Sequence, residues 1–161
     1  MCNPALCCVA LTPVSEVRGK NVSRVINTDS PGKRRNHLMR TSAELLRRLS
    51  QKSDIDAEAK DMLAMLVFCL RGIDEGIEES SKAWEKRDYW MKAEEFRQRW
   101  MWAGRAADEL KDLIFREDWA TLGPWMIQLL PQFSDIKITK YTRAESTWSR
   151  AYEKLAEEKP A

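Results

Sequence analysis

From Ile55 to Phe115 apolar residues recur at spacings of three and four. The stretch holds no proline and three glycines, Gly72, Gly76 and Gly104. That period puts an apolar stripe along a helix and predicts helix–helix packing. Ser53-Asp54-Ile55-Asp56 is rich in helix-capping and N-terminal acidic residues and starts the first stripe. Ile55, Ala59, Met62, Leu66, Cys69, Ile73, Ile77 and Trp84 follow, widened by Leu63, Val67, Phe68 and Leu70. A helix apolar nearly all round is expected to be the central one. The stripe fades at Glu85-Lys86-Arg87-Asp88, where Asp88 can cap a second helix. That helix carries Tyr89, Ala93, Phe96, Trp100, Ala103, Ala107, Leu110 and Ile114 on one side. Two helices of similar length with a short join predict an antiparallel hairpin. A single helix from 55 to 116 is the alternative.

The flanking segments predict shorter helices. Ser30-Pro31 is an N-cap followed by proline at the first helical position. The helix it opens, to about residue 51, aligns Leu38, Ser42, Leu45 and Leu49. Thr41-x-x-Glu44 is a second possible start. Residues 119–130 carry Trp119, Leu122, Trp125, Met126, Leu129 and Leu130, and Gly123-Pro124 suits only a first turn there. Residues 133–141 read as extended with no second strand to pair with. Thr142-x-x-Glu145 matches a capping box for a last helix over 143–158. The expectation is an all-α bundle of four to five helices around a long antiparallel helical hairpin. It spans 30–161 as one domain, behind a disordered or loosely attached segment 1–29.

Composition alters this picture mainly through charge. The 161 residues carry a net +2, yet residues 1–52 hold ten Lys/Arg against three acids and the remainder is net acidic. A basic front on an acidic body suggests an anionic partner, or docking of the front on the chain's own acidic surface. The basic residues of the first helix are Lys33, Arg34, Arg35, Arg40, Arg47 and Arg48, with His37 among them. Seven tryptophans are many for this length. Trp84, Trp100 and Trp148 fall on stripes and read as core; Trp90 and Trp102 lie just off a stripe, where packing against the shorter C-terminal helices is the first reading and contact with a protein partner the second.

Several chemistries find no support in the pattern. One histidine, and no acid on either long stripe, disfavour a di-iron or acid–base centre in the bundle. Cys2, Cys7, Cys8 and His37 match no zinc spacing. Cys69, between Phe68 and Leu70, reads as a small core residue, and three cysteines clustered near the start are no disulfide framework, which fits a reducing cytoplasmic setting. No glycine-rich phosphate loop is present. The longest apolar run, Met62–Leu70, is too short for a membrane span. No metal and no cofactor are expected. The sequence therefore points to a non-enzymatic interaction or adaptor protein whose basic helix meets an anionic partner, nucleic acid first. A protein-binding or self-associating subunit using Trp90 and Trp102 is the alternative. A small-molecule regulator or enzyme with an unrecognised pocket is the third.

Overall fold

A computed structural model describes residues 30–159 of the chain; the expectations for segment 1–29, including Cys2, Cys7 and Cys8, lie outside the described residues. The fold is all-α. The first helix, α1 (Pro31–Leu49), starts where the sequence places it: the Ser30 hydroxyl accepts from Lys33 N–H and Pro31 occupies the first turn. Helix α2 (Ala57–Glu85) is capped by Asp56, whose carboxylate accepts from Ala59 N–H at 2.7 Å. It is the central helix, packed on α1, on the arm that returns after it and on the last helix of the chain. Met62, Leu63, Leu66, Val67, Leu70 and Ile73 are all buried along it.

Helices α1 and α2 run antiparallel: Arg34 meets Glu79 while Leu38 lies over Gly72. A Cβ at Gly72 would come within 2.9 Å of the Leu38 side chain, so the missing side chain leaves room for that leucine. Gly104 does the same on the other side of α2, where a Cβ would meet the Asp74 carboxylate at 2.9 Å.

The hairpin turn forms as expected, but Asp88 does not cap the next helix. It adopts the left-handed region (φ 62°) and closes α2. Asp88 N–H donates to the Glu85 carbonyl at 3.0 Å and Tyr89 N–H to the Trp84 carbonyl at 3.1 Å, the paired bonds of a Schellman motif. Tyr89, expected on the stripe, is displaced to the surface at 58% exposure.

The returning arm is broken rather than continuous, as α3 (Trp90–Trp100) and α4 (Trp102–Arg116), with Met101 as the joint. A tilted aromatic contact ties it to α2, with Trp84 and Phe96 4.9 Å apart between ring centroids; within α3, Phe96 and Trp100 lie 6.4 Å apart. A second Schellman closure, with Glu117 left-handed (φ 54°), ends α4.

Helix α5 (Trp119–Leu129) is capped by Asp118, which accepts from Thr121 N–H and hydroxyl. Pro124 sits in its second turn, not its first. Pro124 has no N–H to donate to the Ala120 carbonyl, and Ala120 is exposed, so the missing helix bond falls on the solvent side. A short 3₁₀ turn (Leu130–Phe133) leads into an extended strap that crosses α1. The last helix is shorter than the capping box predicts. Residues 145–147 make one 3₁₀ turn, Arg150 is left-handed, and α6 covers only Ala151–Ala156. Thr142 cannot cap because its backbone and hydroxyl are bonded to Glu44 of α1.

Candidate anionic-partner interface

The six basic residues singled out in α1 fall into two groups. Four are engaged by the rest of the fold, three of them half-buried and Arg47 exposed. Arg34 pairs with Glu79 of α2. Arg35 lies 5.1 Å from both the Phe96 and Trp100 ring centres, a cation between two aromatic faces. Burial holds its pKa below the usual arginine value, and its Nε is enclosed without a hydrogen-bond partner. Arg47 donates to the Ile138 carbonyl and sits over Tyr141. Arg48 lies 4.2 Å from the Tyr141 ring and 5.0 Å from that of Trp148, 3.3 Å from Glu44 Oε1, and donates to the Arg143 carbonyl at 3.1 Å. Their rings and carbonyls come from α3 and the strap, which a helical wheel of α1 does not contain.

The second group faces out. Lys33, His37 and Arg40 are exposed and spaced i, i+4, i+7, so they form one stripe along the amino-terminal half of α1. Lys33, Arg34, His37 and Leu38 line an open groove of about 470 Å³. The same face then meets Glu44, which is 2% exposed because the strap lies over it.

Glu44 anchors that strap. Burial pushes its carboxyl up. Thr142 N–H, Arg143 N–H, the Thr142 hydroxyl and Arg48 all donate to it and outweigh burial, leaving the pKa below the ordinary value. The anchor delivers Arg143 to the basic stripe. Its Nε donates to Thr41 Oγ1 at 2.8 Å, and its Nη2 is 3.3 Å from His37 Nδ1. A guanidinium can only donate, so a hydrogen bond here has His37 Nδ1 as its acceptor. Neither Arg143 nor Arg40 has a carboxylate within ion-pair range of its guanidinium among the described residues. Arg143 lies 106 residues from His37, and no local signal marked it; its neighbour Thr142 resembled a helix cap.

The two candidate partner-binding tryptophans part company. Trp102 is half-buried, its ring 6.0 Å from that of Trp100 and edge-on to Phe133 at 5.7 Å, so its role here is packing. Trp90 is 60% exposed. Of the stripe tryptophans, Trp148 is fully enclosed, while Trp84 and Trp100 are half-buried.

Burial pushes the Cys69 thiol up to about 12, so it stays protonated and unreactive at neutral pH. Among the described residues, no group of three His, Cys, Asp or Glu side chains could hold a metal ion. No helix among them is long and apolar enough to cross a membrane. No protein-family model matches the chain, and neither the curated proteins nor the solved structures contain a significant match.

Proposed function

We propose that this chain is a non-enzymatic helical interaction protein that binds a polyanion, nucleic acid, along the exposed basic stripe of α1. The observation that carries this reading is the placement of the Arg143 guanidinium against His37, which shares a helix face with exposed Lys33 and Arg40, with no carboxylate paired to Arg143 or Arg40 among the described residues. The spacing along a helix suits the repeating phosphates of a backbone, which need position and charge rather than base recognition. Arg35, Arg47 and Arg48 support the reading indirectly. They hold α1 to α3 and to the strap, and so keep the stripe and Arg143 in register.

The test is retention of the full chain on immobilised RNA and DNA of mixed sequence at low salt. Retention is expected, with release as salt rises. Lys33→Glu/Arg40→Glu/Arg143→Glu is expected to abolish retention with an unchanged helical signal. A wild-type chain that passes through without binding either polymer at about 50 mM salt removes the reading.

A further inference from the structure

The hairpin end between α2 and α3 exposes three consecutive large residues: Tyr89 at 58%, Trp90 at 60% and Met91 at 81%. The tip is rigid. The Schellman closure at Asp88 fixes the backbone, Trp84 packs on Phe96 beneath it, and Arg97 bridges from α3 to Glu85 at 2.5 Å. Lys86, Arg87 and Lys92 surround it, all exposed, with Lys92 Nζ 4.7 Å from the Trp84 ring centre. Of the acids at the tip, Glu85 is paired with Arg97, while exposed Asp88 offsets one of the three bases and leaves the rim net basic.

We propose that this tip is a peripheral docking point for an anionic lipid surface. Three features favour a bilayer over a protein partner. The apolar area is a convex end of three side chains, far short of the roughly 20–30 residues a side that a stable protein interface employs. Tryptophan and tyrosine are the residues whose amphipathic rings settle at the headgroup level. The basic rim complements an anionic headgroup layer and lies beside the apolar tip, as interfacial anchors require. Glu94 and Glu95 lie one turn further along α3, so the wedge enters only as far as that first turn.

Co-sedimentation of the full chain with vesicles of phosphatidylcholine, with and without phosphatidylglycerol, tests this. Binding is expected only when phosphatidylglycerol is present. Trp90→Ser/Met91→Ser should weaken it by about tenfold or more, since most of the inserted apolar area is lost. Those side chains are exposed, so the fold should persist, as checked by circular dichroism. Lys33→Glu/Arg40→Glu should leave most vesicle binding in place, which separates this site from the basic stripe. No binding to phosphatidylglycerol vesicles, or unchanged binding by the Trp90/Met91 variant, overturns the proposal. So does wild-type self-association that this variant abolishes without any lipid binding, which would assign the tip to a second copy of the chain.

Discussion

Glu44 and Thr142 stand 98 residues apart and meet in a closed set of hydrogen bonds: Thr142 N–H at 3.0 and 2.9 Å from the two carboxylate oxygens, and its hydroxyl at 3.1 Å from Oε2. Removing the carboxylate leaves two backbone donors and Arg48 without their acceptor. Glu44→Ala should therefore cost about 2–4 kcal/mol in urea unfolding. Thr142→Val removes only the hydroxyl contact and should cost about 1 kcal/mol. Equal, small losses at both positions would mean that the strap is not held by Glu44.

The same carboxylate and Asp74 should respond to pH with opposite sign. The folded pKa of Glu44 is depressed, so its contribution is complete above the ordinary value of 4.5 and is lost as pH falls through the lower folded value. Asp74 is pushed up by burial, and then by Glu78, Asp108 and Glu75. Its ionised form opposes folding, so Asp74→Asn should raise the melting temperature at pH 7 and give no gain once the wild-type carboxyl is protonated. A gain of equal size at pH 3 and pH 7 would contradict the electrostatic cause.

Trp100 and Trp102 stack with an interplanar angle of 29°, although positions i and i+2 face opposite sides of a regular helix. The interruption at Met101 is what lets both rings reach the same side, with Trp102 completing an aromatic row to Phe133. Trp102→Ala should cost about 2–3 kcal/mol, below the value for a fully buried tryptophan. A loss below about 0.5 kcal/mol, the range of an ordinary surface site, would mean that the row does not tie the arm to the 3₁₀ turn.

Glu117 holds a left-handed conformation at the end of α4 that favours glycine. Glu117→Gly is expected to stabilise the fold by about 1 kcal/mol, since the Cβ clash of that conformation disappears. Denaturant melts that show a loss instead would point to a role for the Glu117 side chain beyond the turn.

Local chemistry made much of this fold legible. Ser30 and Asp56 start their helices because a cap is decided within three residues, and the α2 stripe is buried because its period is strong. The misreadings share a cause: a distant partner outbid a local signal. Thr142 matched a capping box until Glu44 took its donors. The third helix looked continuous until two tryptophans found a common side. The candidate interface was readable only as charge. Lys33 and Arg40 emerged exposed. Arg35, Arg47 and Arg48 were claimed by rings and carbonyls from remote segments, and Arg143 arrived from a strap with no helical period.

If Lys33, Arg40 and Arg143 together neutralise phosphates, the salt dependence of binding measures it directly. A titration of duplex DNA across salt concentrations should give a slope of log affinity against log salt near −3, for three phosphate contacts. Arg143→Ala should reduce that slope by about one, with no preference among sequences. A slope indistinguishable from zero, or one that Arg143→Ala leaves unchanged, would contradict the account.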